Sequence, residues 1–217
     1  MNDASPRQGP NGATAPISLG APAVLRRRSM VLITGGSGFV GANLADRLAA
    51  SGEHVLIYDN LSRPNVMANL EWLQQRHGHR IETAIADVRD SDALRDTMRQ
   101  ASAVFHLAAQ VAVTTSLEDP VTDFEVNARG TLNVLEAARH LPDPPPLIFA
   151  STNKVYGESF ETARLLADRS RYRPADGTPP AVDEGWPLGL CSPYGCSKGA
   201  ADAYVLDYAR VFGLRTV

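Results

Sequence analysis

Short segments rich in apolar residues alternate with longer amphipathic segments along most of this chain. Five of the short segments have the length of β-strands: 30–34, 54–59, 80–87, 103–109 and 146–151. Apolar strands separated by helices are typical of a parallel sheet that is covered by helices on both faces. The pattern therefore predicts an α/β fold, a Rossmann-type doubly wound parallel sheet.

The segments between these strands carry apolar residues at helical spacing. We predict helices over 35–52, 65–76, 91–100, 119–140 and 193–212. Ser91 is the predicted N-cap of the third helix. Helical periodicity predicts the inward faces of the second and fourth helices. These faces are Val66, Leu70 and Leu73 in the second helix, and Phe124, Leu132, Leu135 and Ala138 in the fourth.

Composition excludes several classes of protein. The 217 residues have a net charge of −3, so a nucleic-acid partner is not expected. No apolar run approaches the roughly 18 residues of a membrane-spanning helix. Cys191 and Cys196 are the only cysteines, which excludes a disulfide scaffold, and their spacing predicts no metal site. Of the 21 basic residues, only Lys154 and Lys198 are lysines.

A glycine-rich turn joins the first strand to the first helix. Gly35, Gly38 and Gly41 are three residues apart in the sequence TGGSGFVG. In this context the first glycine permits the tight turn, the second lets the backbone approach a pyrophosphate, and the third allows close helix packing. The helix N-terminus then directs free N–H groups at the phosphates. The turn predicts dinucleotide binding.

Acidic residues at the ends of the next two strands indicate which dinucleotide is bound. Asp59 ends the second strand, where a carboxylate can accept hydrogen bonds from a ribose and would repel a 2′-phosphate. This favours NAD over NADP, although Arg63 is near enough to accommodate that phosphate. Asp87 closes the third strand and can reach an adenine amino group. The fourth strand ends in the small residues of 106–110, which lets the backbone pass close to a cofactor.

Tyr194 and Lys198 are four residues apart at the predicted start of the last helix, and therefore lie on one face. A nearby ammonium group favours the phenolate form of a tyrosine, which can then act as base in alcohol oxidation and as acid in ketone reduction. Lys198 would also hold the nicotinamide ribose. Thr152 follows the fifth strand, where its hydroxyl can bind the reacting oxygen. A surface pair is the alternative, but this chain otherwise uses Arg for surface cations.

Three segments depart from the alternating pattern. Residues 1–29 are rich in Pro, Gly, Ala and Ser and predict a disordered leader, with a transit peptide or a true start at Met30 as alternatives. The segment 157–190 is too long for an ordinary connection. Residues 214–217 resemble the start of a sixth strand. We therefore expect a leader at 1–29 and an NAD-binding Rossmann domain at 30–217, incomplete at its C-terminus.

These residues together resemble the extended short-chain dehydrogenase/reductase family, the NAD-dependent sugar-nucleotide epimerases and dehydratases. The resemblance covers 30–217 and implies a role for each matching residue. Thr152, Tyr194 and Lys198 match the catalytic triad. The resemblance implies cofactor binding by Gly35, Gly38, Phe39, Val40, Asp59, Asn60, Arg63, Asp87, Val88, Leu107, Ala108, Ala109, Gln110, Asn127, Tyr194 and Lys198.

A finer resemblance is to the family's CDP-sugar 2-epimerases, carried by 59–63, 151–157 and 192–214. The family's 4,6-dehydratases carry an Asp-Glu pair after the catalytic Thr, and here those positions are Asn153 and Lys154. Dehydration would lack its acid and base, whereas epimerisation needs neither. The resemblance implies transient oxidation of a nucleotide sugar to a keto sugar and its re-reduction from the opposite face, with NAD retained.

Two other functions stay open at this point. One is a C4 epimerase or a reductase acting on other sugar nucleotides, and the other is a catalytically silent NAD-binding module. The silent module is an alternative because members of the family continue into a C-terminal substrate domain, which we expect to be missing here. The expected partners are a nucleotide-sugar substrate and a second copy of the chain, docked through 119–140 and 193–212. We expect a cytoplasmic location and no membrane partner.

Overall fold

Five parallel strands form the central sheet of the chain, for which a computed structural model describes residues 30–157, 165–175 and 182–217. The strands are β1 (Met30–Thr34), β2 (His54–Asp59), β3 (Ile81–Ile85), β4 (Ala101–His106) and β5 (Leu147–Phe149). Their spatial order is β3-β2-β1-β4-β5. All five predicted strands are confirmed, with ends that differ by a few residues, and so is the Rossmann-type doubly wound fold.

Helices connect the strands. They are α1 (Phe39–Ala50), α2 (Val66–His77), α3 (Ser91–Met98), α4 (Val113–Glu118), α5 (Pro120–Phe124), α6 (Gly130–Arg139) and α7 (Ser192–Phe212). Short 3-10 helices occupy Gly78–Arg80 and Asn153–Tyr156, and a π-helical turn occupies Glu125–Arg129. None of the helices in the described ranges is long and apolar enough to cross a membrane.

The sheet is covered on both faces because its strands are apolar at successive positions. Met30 and Leu32 belong to a core cluster that includes residues of α3, α6 and α7. Val31 and Ile33 belong to a second cluster with residues of α1 and α2. Since successive side chains of a strand point to opposite faces, the two clusters lie on opposite sides of the sheet. The order of the strands reverses between β1 and β4, which is where such sheets bind ligands.

The predicted long helix 119–140 is wrong as one continuous helix. The structure divides it into α5, the π-turn and α6. A π-turn inserts an extra residue into the helical repeat and so rotates the residues before it relative to those after it. Leu135 and Ala138 are fully buried as predicted, but Phe124 is 53% exposed and does not share their face.

The predicted N-cap of α3 is also wrong by one residue. Asp90, not Ser91, has the extended backbone of an N-cap, and its carboxylate accepts from the N–H groups of Asp92 and Ala93 at 3.0 Å each. Both residue types are good caps, so composition alone does not distinguish them. The side chain that bonds two otherwise unpaired N–H groups determines where the helix begins.

The three segments that depart from the alternating pattern are described by the structure to different extents. The predicted leader 1–29 and the parts 158–164 and 176–181 of the segment 157–190 lie outside the described residues. Between those two parts, β6 (Leu165–Ala167) and β7 (Tyr172–Pro174) form an antiparallel pair that the sequence did not predict. The predicted start of a sixth strand is confirmed, because Val217 N donates to Leu147 O and Phe149 N to Val217 O.

Candidate functional site

The glycine-rich turn between β1 and α1 brings the backbone of two strands together. Gly35 has a φ of +68°, which favours glycine, and a Cβ atom there would lie 2.7 Å from Ala108 N at the end of β4. A Cβ atom on Gly41 would lie 2.4 Å from Gly35 O, so α1 packs directly on the turn. Gly38, the N-cap of α1, offers no side chain to the first N–H groups of the helix. Those groups are therefore free to bind an anion.

The carboxylate of Asp59 is fixed at the end of β2. Its Oδ2 accepts from Ser37 N at 3.0 Å and its Oδ1 from Leu61 N at 2.9 Å. The first bond ties the acidic residue to the glycine-rich turn, so the carboxylate and the turn face the same cleft. Arg63 lines that cleft as well.

A second carboxylate, Asp87, follows β3 and is held by two side chains. Arg89 donates from Nε to Oδ1 at 2.9 Å and from Nη2 to Oδ2 at 2.8 Å, and Asn60 Nδ2 donates to Oδ2 at 2.8 Å. The hydrogen bonds from Arg89 lower the pKa of Asp87 to about 2, against a smaller opposing effect of burial. Asp87 is therefore an anion whose position is set by its neighbours.

These residues line one cleft of about 530 Å³ at the carboxyl ends of the strands. Thirteen of the residues predicted to bind a cofactor lie on its wall: Gly35, Gly38, Phe39, Val40, Asp59, Asn60, Arg63, Asp87, Val88, Leu107, Ala108, Ala109 and Gln110. Phe39 is 83% exposed and Val40 63%, at the helix start beside the turn. Large apolar side chains so exposed beside a cleft are suited to covering a ligand.

Tyr194 and Lys198 lie in the first turns of α7, outside the wall of this cleft. Both are buried, with 8% of Tyr194 and 3% of Lys198 exposed. Lys198 Nζ donates to Ala150 O at 2.7 Å, just after β5, and lies 3.9 Å from the centre of the Phe149 ring. Burial lowers the pKa of Lys198 to about 8, while Asp202 and Asp123 oppose this shift. At neutral pH the lysine is thus mainly protonated.

Thr152 lies two residues after the carbonyl group that binds Lys198. It precedes the 3-10 helix Asn153–Tyr156 and its Oγ1 accepts from Lys154 N at 3.3 Å. The start of α7 packs on this 3-10 helix, because a Cβ atom on Gly195 would lie 3.2 Å from Lys154 O. Thr152 and the first turn of α7 therefore belong to one structural unit at the end of β5.

Asn127 connects the cleft to α7 although it lies on neither. Its Oδ1 accepts from Gln110 N at 2.9 Å, and its Nδ2 donates to Gln110 O at 3.1 Å and to Ser197 Oγ at 3.1 Å. Asn127 is buried in the π-turn that precedes α6. Asn127 is not on the wall of the cleft, but its hydrogen bonds to Gln110 place it directly behind a residue that is.

A buried histidine supports the same region from β4. His106 accepts at Nδ1 from the Thr34 hydroxyl at 2.6 Å, and its Nε2 lies 2.9 Å from Thr131 Oγ1. Thr131 donates its own hydroxyl proton to Asn127 O at 2.6 Å, so we assign the ring proton of His106 to Nε2. Burial, together with the charge of Lys198, lowers the pKa of His106 to about 3, and the ring is neutral.

Sequence reasoning missed several residues of the site. Arg89 lines the cleft and binds Asp87. Its position two residues after an aspartate at a strand end is the sequence feature that could have identified it. No sequence pattern could have identified Asp123 and Ser197, because they are 74 positions apart in the chain and meet only in the fold. Other cleft residues that sequence reasoning did not assign to the cofactor are Gly41, Tyr58, Ser62, Ala86, Val111, Thr122 and Val126.

Comparison with known proteins identifies the family. The model of the GDP-mannose 4,6 dehydratase family matches residues 32–217, almost the whole described chain. The chain belongs to this family. It is 46% identical over 189 residues to the CDP-paratose 2-epimerase of Salmonella typhi, covering 86% of this chain and 55% of the relative. The predicted resemblance to NAD-dependent sugar-nucleotide epimerases and dehydratases is confirmed.

Other members are similar to a lesser degree. A putative UDP-glucose 4-epimerase of Methanocaldococcus jannaschii is 34% identical over 187 residues, covering 85% of this chain and 52% of the relative. The solved structure of the Thermus thermophilus UDP-glucose 4-epimerase in complex with NAD is 33% identical, with a TM-score of 0.68 over 86% of this chain and 53% of that one. The chain spans about half the length of the curated relatives it matches.

Proposed function

We propose that this chain carries the cofactor-binding and catalytic residues of an NAD-dependent sugar-nucleotide epimerase that resembles CDP-paratose 2-epimerase. The observation that carries the proposal is the placement of Tyr194 and Lys198. Both are buried at the start of α7, and Lys198 is bound to the carbonyl that follows β5. The 46% identity to a CDP-paratose 2-epimerase supports the choice of reaction.

NAD is the cofactor that best fits the cleft. The glycine-rich turn leaves room that a Cβ atom would fill, and the N-terminus of α1 has no side-chain cap. Asp59 is held in place to accept hydrogen bonds from a ribose, and its charge opposes the 2′-phosphate of NADP. Asn60, Asp87 and Val88 would hold the adenine side. NAD, when bound, supplies a reversible acceptor for the hydride of the sugar carbon.

The chain's own residues would move the proton. We infer that Tyr194 takes the hydroxyl proton of the sugar as its carbon is oxidised and returns a proton to the same oxygen when the carbon is reduced. Lys198, protonated and buried, would stabilise the phenolate and hold the nicotinamide ribose. Thr152 would bind the reacting oxygen, since it lies beside the 3-10 helix on which α7 packs. No net oxidation of the sugar results.

Dehydration is disfavoured although the family is named for a dehydratase. Elimination of water needs an acid and a base, and the two positions after Thr152 carry Asn153 and Lys154. An amide and an exposed ammonium group do not form such a pair. Epimerisation uses only the proton transfer at Tyr194 and the hydride transfer.

The proposal is tested by incubating the chain with NAD and CDP-paratose and following the signals of the 2-epimer by NMR. We expect interconversion, and a loss of about 100-fold or more in Tyr194→Phe, since a positioned acid–base group contributes that much. Tyr204→Phe is the matched control, because Tyr204 is on the same helix but exposed. It should retain the activity of the unmodified chain.

Two results would contradict this proposal in favour of its alternatives. Conversion of UDP-sugars without conversion of the CDP-sugar would indicate a C4 epimerase. Binding of NAD without conversion of either would indicate a catalytically silent module, and binding should then survive Tyr194→Phe.

We also propose that two copies associate through the predicted segments 119–140 and 193–212, which hold α5, the π-turn, α6 and α7. Exposed apolar side chains support this: Val121 and Phe124 on α5, and Leu206, Val211 and Phe212 on α7. Large apolar side chains exposed together are typical of protein interfaces. A monomeric mass in light scattering at micromolar concentration would refute the association. The cytoplasmic location stays a prediction, to be checked by cell fractionation.

A further inference from the structure

A buried carboxylate on α5 lies at the centre of the polar contacts around α7. Asp123 is fully buried, its Oδ2 accepts from Ser197 Oγ at 2.5 Å, and its Oδ1 accepts from Asn127 Nδ2 at 3.1 Å. Both contacts use Asp123 as an acceptor. Such a set of donors suits an ionised carboxylate, whose four lone-pair positions are all acceptors.

The hydroxyl that binds Asp123 lies between the two candidate catalytic residues. Ser197 directly precedes Lys198, and its Oγ is also 3.2 Å from Tyr194 O, one turn earlier. The N–H of Tyr194 in turn donates to the hydroxyl of Ser116 on α4 at 3.2 Å. The first turns of α7 are therefore tied by side chains to both α4 and α5, at the point where Tyr194 and Lys198 must be held.

Asp123 and Lys198 are both buried, so the ionisation of each side chain depends on the charge of the other. A buried ammonium group loses its hydration and needs a compensating anion to stay protonated. Burial raises the pKa of Asp123, while the Ser197 hydrogen bond and the charge of Lys198 lower it. Conversely, the charge of Asp202 and, to a smaller extent, that of Asp123 oppose the lowering of the Lys198 pKa. Each charge thus favours the ionised form of the other.

We propose that Asp123 is a positioning residue, a buried anion on α5 that fixes the start of α7 through Ser197 and balances the charge of Lys198. The inference deepens the proposed function, since it explains how the lysine beside Tyr194 stays charged in a buried site. Asp123 also binds Asn127, which binds Gln110 on the wall of the cleft. One carboxylate therefore links the candidate catalytic helix to the candidate cofactor cleft.

Other ionisable groups near Lys198 also affect its pKa, so a test must distinguish their effects from that of Asp123. Asp202 is one turn further along α7 and half-buried, and His106 is buried on β4 and neutral. The remaining charged side chains of the neighbouring helices are exposed or already paired: Glu118, Asp119 and Lys154 are exposed, and Glu125 lies 3.6 Å from Arg129. A test should therefore compare the effects of Asp123 and Asp202 on the pKa of Lys198.

The chain's composition makes the titration of Lys198 directly observable. Only two residues of the chain are lysines, so protein labelled with ¹³C-lysine gives two ε-CH₂ signals in an NMR spectrum. One comes from Lys198 and the other from exposed Lys154, and Lys198→Met assigns them. The signal of Lys198 should titrate with a midpoint near 8. This measurement requires neither cofactor nor activity, so its failure is distinguishable from failure of the proposed function.

Asp123→Asn is the decisive variant. It keeps the shape of the side chain, and the Ser197 hydroxyl can turn to Tyr194 O. We expect the midpoint of Lys198 to fall by up to about one unit, the lower end of what an opposite charge contributes, and by less than in Asp202→Asn, because Asp202 opposes the shift more strongly. Asp202→Asn should also lower it, and the double variant should show the sum. An unchanged Lys198 midpoint in Asp123→Asn would overturn the proposal.

A second variant covers the case in which Asp123→Asn does not fold. Ser197→Ala removes the 2.5 Å hydrogen bond and leaves both charges in place. The carboxylate then keeps only its hydrogen bond from Asn127 and is less firmly held beside α7, so the Lys198 midpoint should fall by a smaller amount. No fall in a folded Ser197→Ala protein would overturn the proposal in the same way.

Discussion

At the scale of single residues, ion pairs and hydrogen bonds set the state of the charged groups in the cleft. Asp87 is the clearest case, because Arg89 binds both of its oxygens. The position of Asp87 at the carboxyl end of a strand was predictable from the sequence. Its partner was not, since an arginine two residues away reaches the carboxylate only when the chain turns after β3.

The low pKa of Asp87 predicts a pH dependence of stability. A pKa of about 2 in the folded chain, below the ordinary value of 3.8, means that the ionised form is favoured by folding. This stabilisation is fully present above about pH 4 and is lost as the pH falls toward 2. In Arg89→Gln we expect the free energy of unfolding to decrease less steeply over this range. At pH 5 the variant should be destabilised by about 1 kcal/mol, a modest value because Arg89 is partly exposed.

Urea denaturation at pH values between 5 and 2 checks this expectation. Arg99→Gln is the matched control, because Arg99 pairs with Asp96 at 3.2 Å on the open surface of the protein. Its curve should parallel that of the unmodified chain. A parallel curve for Arg89→Gln as well would show that the pair does not stabilise the fold.

At the scale of helices and strands, hydrophobic spacing predicts the buried faces of regular helices but not the positions where the helical repeat is interrupted. Val66, Leu70 and Leu73 are buried on α2 as their spacing predicts. Phe124 has the right spacing to share the face of Leu135 but is exposed, because the π-turn shifts the repeat between them. No local residue pattern marks such a turn, and Asn127 within it bonds Gln110 and Ser197, which are distant in the sequence.

Helix α4 was missed for a related reason. Its sequence begins with the β-branched residues Val113, Thr114 and Thr115, which are poor helix formers. Ser116 is buried and its hydroxyl accepts from Tyr194 N, a contact across 78 residues. The helix is therefore specified by its packing against α7 rather than by its own sequence.

The start of α3 gives a prediction at the same scale. Asp90→Ala removes the carboxylate that binds the N–H groups of Asp92 and Ala93. We expect a loss of about 1 kcal/mol in the free energy of unfolding, typical of an N-cap. Ser91→Ala, at the adjacent position, should change it by no more than about 0.5 kcal/mol. Urea denaturation at pH 7 compares the two, and a larger effect at Ser91 would contradict the assignment of the cap.

At the scale of the whole molecule, the topology brings together residues that are far apart in the sequence. The β3-β2-β1-β4-β5 order places the ends of β1, β2, β3 and β4 side by side, and thirteen predicted residues meet in one cleft as a result. The strand ends were predictable because each carries its motif locally. The contacts between helices that hold Tyr194 and Lys198 were not, since they join α4, α5 and α7.

The most direct test of this account asks whether the cleft holds NAD. The purified 217-residue chain is denatured, and any released nucleotide is quantified by mass spectrometry, before and after incubation with NAD and NADP. Gly38→Val is the control, because its backbone has ordinary angles and a Cβ atom there would lie 3.2 Å from only Gly35 O. The variant should fold but block the approach of a pyrophosphate. We predict about one NAD per chain, little NADP, and loss of NAD in Gly38→Val. A chain that is folded by circular dichroism yet takes up no NAD would contradict the account.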